Sequence, residues 1–175
     1  MQQILVGCDP EVFVKKGGLF HSAYGLIKGD KKNPQPVHKG AVQVDGMALE
    51  FNINPAASED EFCLNVQAVY DTLRNMVPDY QVVAVPVADF DPAYMKAQPF
   101  EALELGCDPD FNGWTLSANE KPNGDRPFRT ASGHVHIGWT KDEDISPGST
   151  HYMRSACVAR EMDFYLALPS LAYDK

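Results

Sequence analysis

Basic charge is scarce in this chain. It holds 24 acidic residues against 15 basic ones, for a formal net charge of −9. A nucleic-acid-binding surface needs a cationic footprint that displaces counterions, so the balance argues against that class. It leaves nucleotides open, because Mg2+ can bridge carboxylates to phosphates. Cysteine is sparse too: Cys8, Cys63, Cys107 and Cys157 show neither zinc-ligand spacing nor a dense disulfide framework. They read as reduced thiols of a cytoplasmic protein. The start, Met1-Gln2-Gln3-Ile4, lacks the basic and apolar regions of a signal peptide, and no apolar run approaches membrane-spanning length. Neither membrane nor nucleic acid is an expected partner. The GxxxxGK[ST] phosphate loop and the GxGxxG fingerprint are both missing, so any ATP site must be of another kind. There is no Gly-x-Ser-x-Gly elbow. Cys8 and Cys107 each precede Asp-Pro, a poor setting for a thiolate nucleophile.

What is present suits one folded core. Hydrophobic residues make up 44% and charged residues 22% of 175 positions, and a single domain spanning 1–175 is expected. Gln2–Val6 and Glu11–Lys15 read as strands, with Gly7-Cys8-Asp9-Pro10 as a kink or bulge between them and Gly17-Gly18 as a hairpin turn. Residues 28–40 read as an exposed, mobile loop. Val42–Val44 and Met47–Ile53 read as strands about an Asp45-Gly46 turn. Ser58-Glu59-Asp60-Glu61 is a capping box, and Phe62, Val66, Val69, Tyr70, Leu73 and Val77 recur at helical spacing behind it. Tyr80–Val87 reads as a buried strand, residues 88–133 as mostly loop, and His134–Trp139 as a strand. A last helix is expected over Thr150–Leu168, with Tyr152, Ala156, Ala159, Met162 and Leu166 on one face and Pro169 ending it. The sum is an α+β fold with mostly antiparallel strands. Gly7-Cys8-Asp9-Pro10-Glu11 is echoed at Gly106-Cys107-Asp108-Pro109-Asp110, too short a match to establish a repeat.

Three segments could carry chemistry. Asp9 and Glu11 are two apart, so strand alternation puts both carboxylates on one face. Crowded anions repel, and a divalent cation relieves that repulsion while gaining oxygen ligands; the alternative is a solvated polar face. Glu50 shares a face with Ala48 and Asn52, opposite Leu49, Phe51 and Ile53, which also suits a half-exposed strand. Asp45 belongs to the same site or simply makes the turn. Gly133-His134-Val135-His136-Ile137-Gly138 puts two imidazoles on one side, able to ligate a metal or contact phosphate. The flanking glycines allow close approach by a ligand or another backbone. Arg126 and Arg129 precede that strand and could clamp a phosphate or carboxylate, or form surface ion pairs. His21, His38 and His151 read as surface residues.

In order and spacing, Gly7-Cys8-Asp9-Pro10-Glu11-Val12-Phe13-Val14, the segment Asp45 to Pro55, Gly106 to Trp114 and Ser132 to Gly138 resemble the carboxylate–amine ligases of the glutamine synthetase and glutamate–cysteine ligase superfamily. The phage-type, type 2 group is the nearest in pattern. The resemblance implies a glutamine-synthetase-like catalytic fold with helices packed on one face of the sheet. It also implies an amide-bond-forming ligase that activates a carboxylate with ATP through an acyl phosphate. Asp9, Glu11, Glu50 and His134 would hold Mg2+ or Mn2+, His134, His136 and Arg129 would contact the nucleotide, and Arg129 and His136 would serve catalysis. The substrates would be a small-molecule or peptide carboxylate and an amine. Asp9 stands where the family has glutamate, and the chain stops before the family's second set of strands. It therefore reads as the N-terminal portion of a ligase-type catalytic domain, with the C-terminal part missing. A homo-oligomer or a second chain would then complete the fold. The rival reading is a non-catalytic ligase fold kept as a binding or assembly module. A metal-dependent hydrolase is a third, weakened because no separate general base is in view.

Overall fold

The computed structural model describes residues 3–104, 111–120, 126–140 and 143–172. The echo segment Gly106 to Asp110 lies outside them. The chain divides into two compact units, Met1–Gly106 with Asn123–Trp139, and Cys107–Pro122 with Thr140–Lys175. The protein is mixed α+β, with a curled antiparallel sheet and a few helices.

The first unit begins with one long strand, β1 (Leu5–Lys16), followed by β2 (Leu19–His21), β3 (Gln35–Val37), β4 (Gly40–Asp45) and β5 (Ala48–Ile53). Helix α1 (Glu59–Met76) leads to β6 (Gln81–Val83), β7 (Val87–Asp89) and the short helices α2 (Pro92–Lys96) and α3 (Phe100–Leu103). Strands β8 (Phe111–Asn112) and β9 (Ser117–Ala118) belong to the second unit; β10 (Phe128–Thr130) and β11 (Gly133–Gly138) return to the first. The main sheet runs β11-β1-β5-β4-β3, with β2 and β6 also on β1, and β10 pairs separately with β7.

β1 is continuous where two strands and a kink are expected. Pro10 interrupts nothing for a geometric reason. The Glu11 N–H donates to Ser132 O, toward β11, so an N–H at position 10 would point toward β5. There the β1–β5 register begins only at Glu11↔Glu50, and no ladder bond is lost. At Gly17-Gly18 both residues have positive φ, 60° and 84°, and they close the β1–β2 hairpin as expected. Residues 28–40 are not simply a loop: β3 pairs with β4, Pro36 being tolerable on an edge strand. The expected Tyr80–Val87 strand is split, with β6 on β1 and β7 on β10.

One face of the sheet meets α1. Ser58 Oγ accepts the Glu61 N–H as the N-cap of the helix, and Glu61 Oε2 reaches back to accept the N–H of Ala57, one residue before the cap. Val69, Leu73 and Val77, with Phe62, Val66 and Tyr70, pack on Cys8, Val12, Val14, Leu49, Phe51 and Ile53. Helices are not confined to that face. On the other side, at the far end of β1, Phe13, Met47 and Ala48 pack with Phe90, Met95 of α2 and Ala102 of α3. Fully burying an aliphatic or aromatic side chain contributes about 1.5–3 kcal/mol, so these two clusters fix how the strands lie.

In the second unit, α4 (Thr150–Met162) is followed by a π-turn over Asp163–Ala167 and by α5 (Leu168–Ser170). The helical path thus runs past Pro169, which was expected to end it. Proline cannot donate to the turn behind it and crowds the carbonyl four residues back; the wider π-turn just before it relaxes that crowding. Trp114 Nε1 donates to Asp163 Oδ2 at 2.7 Å, and the Arg160 guanidinium lies over the Trp114 ring. No helix among the described residues is long and apolar enough to cross a membrane.

Candidate functional site

Alternation in β1 sends Cys8, Val12 and Val14 into the α1 core, so Asp9 and Glu11 emerge on the opposite face. In β5 the same alternation buries Leu49, Phe51 and Ile53 and turns Glu50 outward, directly across from Glu11 in the register. β4 adds Gln43, opposite Glu50, with Asp45 two residues further along. β11 adds His134 opposite Asp9 and His136 opposite Gly7. The structure therefore brings Asp9, Glu11, Glu50, His134 and His136 onto one face of adjacent strands.

Gly133 makes that close apposition possible. A Cβ there would lie 3.1 Å from Pro10 Cα, tighter than close-packed carbon atoms tolerate. The need is for approach by a backbone rather than by a ligand.

Each carboxylate has a protein donor. Asp9 Oδ1 accepts the His134 backbone N–H at 2.9 Å and lies 3.3 Å from His134 Nδ1; Asp9 Oδ2 lies 3.1 Å from His136 Nε2. In the tautomer that donates from Nε2 to Asp9, Nδ1 of His136 is the nitrogen with the lone pair. The His136 side chain is 65% exposed. Glu11 Oε2 accepts the Ser132 N–H at 2.8 Å. Glu50 Oε2 accepts a hydrogen bond from Gln43 Nε2. The buried end of Asp45 lies 3.5 Å from Lys31 Nζ.

Burial is the main cause that raises the Glu11 carboxyl above the ordinary range; the Ser132 N–H opposes it and Asp45 adds to it. Glu50 is raised likewise, by burial first, against the Gln43 bond, with Asp45, Asp9 and Glu11 adding repulsion. Cys8 is buried on the other face, its thiol raised by burial and by Asp9, the opposite of an activated thiolate.

Arg129 stands on a different ladder, in β10. Its Nη1 donates to the Arg126 and Phe128 carbonyls and its Nη2 to Leu103 O, so it ties β10 to the end of α3; burial lowers its pKa. Two histidines expected at the surface are partly packed instead. His21 makes edge contacts with Tyr80 and Tyr94, and His151 Nδ1 lies 3.2 Å from Thr140 Oγ1 and 3.6 Å from Glu143 Oε2. His38 is exposed, as expected.

Gln43, Lys31 and Ser132 belong to the polar face although sequence reasoning passed over them. Only Gln43 had a signal, the Val42-Gln43-Val44-Asp45 alternation that places it beside Asp45. Among the described residues, no three His, Cys, Asp or Glu side chains already stand together as a metal-ligating group. The donor chemistry nevertheless suits a hard divalent cation: carboxylate oxygens and an imidazole on one face, two of the carboxylates held at raised pKa by burial. Compared with known protein families, with curated proteins and with solved structures, the chain matches none.

Proposed function

We propose that the chain is an ATP-dependent carboxylate–amine ligase whose Asp9–Glu11–Glu50–His134 face takes Mg2+ or Mn2+. The observation that carries this reading is the cross-strand arrangement itself: Glu11 opposite Glu50 and Asp9 opposite His134. The finer fold assignment, a glutamine-synthetase-like catalytic sheet, belongs to the same proposal and rests on the motif resemblance.

When bound, the cation would neutralise phosphate charge while a carboxylate is activated for attack by an amine. The chain's residues would do the positioning. Glu11 and Glu50 supply oxygens from adjacent strands, and Gln43 and Ser132 hold their carboxylates in place. Asp9 orients both imidazoles, and His136 presents its second ring nitrogen outward toward phosphate or metal. Arg129 enters this reading through the family resemblance alone.

A second reading has its own observation. Phe164, Tyr165, Leu166, Leu168 and Leu171 are all exposed in the second unit, as expected of a binding or assembly module that packs on another chain. Titration calorimetry with ATP and Mg2+ separates the two. Metal-dependent ATP binding, lost in Glu11→Gln, supports the ligase. Its absence in the intact chain, together with a dimeric mass by light scattering, replaces the ligase with the module.

A further inference from the structure

A cavity of about 670 Å3 opens in the first unit between α2, α3 and the approach to β10. It shares no residue with the acidic face. Met95, Phe100 and Leu103 give it apolar walls, while Lys96, Arg126 and Arg129 bring three cationic side chains to it. Among the described residues, Glu104 is the one acidic side chain in the lining.

That concentration of positive charge is unusual here, since the whole chain has 15 basic residues against 24 acidic ones. Nor are the exposed cations spent elsewhere. Among the described residues, neither Lys96 nor Arg126 has an ion-pair partner. Phe100 is 75% exposed at the rim, an aromatic surface left in water. Apolar walls with a few convergent charged groups are the general make-up of a small-molecule site. Here the charges select an anion, and the walls select an apolar body attached to it.

We infer that this cavity binds an amphipathic carboxylate, an aryl-alkyl or alkyl acid whose apolar part lies against Met95, Phe100 and Leu103 and whose carboxylate meets Arg126 and Lys96. Arg126 provides two parallel N–H groups for the carboxylate oxygens, and Lys96 adds a point charge. Arg129, bonded to three backbone carbonyls, fixes the wall and its positive potential. The assignment does not depend on metal binding at the acidic face.

The test uses the full chain with 4-phenylbutyrate and its uncharged counterpart 4-phenyl-1-butanol, followed by saturation-transfer NMR and calorimetry. The acid is expected to bind about tenfold more tightly than the alcohol, the equivalent of one charge-assisted contact. Arg126→Ala with Lys96→Ala should bring the two ligands to equal affinity, and Phe100→Ala should weaken both. These side chains are exposed, so the variants should keep the melting temperature of the parent protein, which is checked first. Equal binding of acid and alcohol by the parent protein overturns the proposal, as does no binding of either at millimolar concentration. Displacement of the acid by inorganic phosphate or ATP at lower concentration overturns the carboxylate assignment in favour of a phosphate site.

Discussion

Glu50→Gln tests the electrostatics of the acidic face most directly. Glutamine keeps an oxygen that can accept from Gln43 Nε2, so the substitution removes charge and leaves that bond in place. The upward shift of Glu50 is already the net of burial, the Gln43 bond and the repulsion from Asp45, Asp9 and Glu11. Loss of the charge is therefore favourable in the folded protein at neutral pH. Like charges directly opposite on paired strands cost roughly 0.2–1 kcal/mol, and part-exposure keeps the figure in that range rather than above it. With burial added, we expect a gain of about 0.5–1 kcal/mol, or a melting temperature higher by about 1–4 °C. The pH dependence has a fixed sign. A carboxyl raised on folding holds its proton longer in the folded state, so the cost is absent below the ordinary carboxylate range. It is complete above the raised value, and the parent protein loses that much stability as pH rises through the window. The advantage of Glu50→Gln should accordingly grow as pH rises above the ordinary carboxylate range and vanish at about pH 3. Thermal melts across that range, without metal, measure it. The double variant with Glu11→Gln should gain less than the sum of the two single gains, because both remove the same cross-strand repulsion. A variant less stable than the parent at neutral pH, or an advantage that persists in acid, would refute the reasoning.

Two further outcomes test the supporting structure. Gly133→Ala places a Cβ 3.1 Å from Pro10 Cα and should destabilise by about 1–3 kcal/mol, since backbone on both strands must move; an unchanged urea midpoint would mean the strands are farther apart than described. Ser58→Ala removes the acceptor for the Glu61 N–H and should cost about 1 kcal/mol, seen as a lower urea midpoint at constant m-value.

Helix α1 was legible in the sequence at both ends of the argument, its cap and its apolar face, because those signals are local and agree. The acidic face was legible as far as alternation reaches: Asp9 with Glu11, Glu50 against Leu49, and His134 with His136. Which strands would be neighbours was not, because register is a property of the whole sheet. Pro10 and Gly7 look like breaks in isolation, and only the position of the β5 register makes Pro10 harmless. Pro34 and Pro36 hid β3 in the same way. Nor could periodicity show that the face carrying Asp9 and Glu11 turns apolar at Phe13, where α2 and α3 cover it. Arg129 illustrates the opposite limit. A lone arginine before a strand has no sequence signature for binding backbone carbonyls, which is what it does here.

The placement of β11 beside β1 also bears on the order of assembly. Glu11 meets Glu50 through a short chain segment that includes the β4–β5 hairpin, whereas Asp9 meets His134 across a separation of 125 residues. Closing the longer loop costs about 1 kcal/mol more in chain entropy if the intervening residues are still free. On a growing chain the longer contact must also wait for most of the sequence to be made. The carboxylates are thus gathered by early, near-neighbour pairings, and the imidazoles join them only after the intervening chain has been made, so the N-terminal half alone would present anions without their histidines.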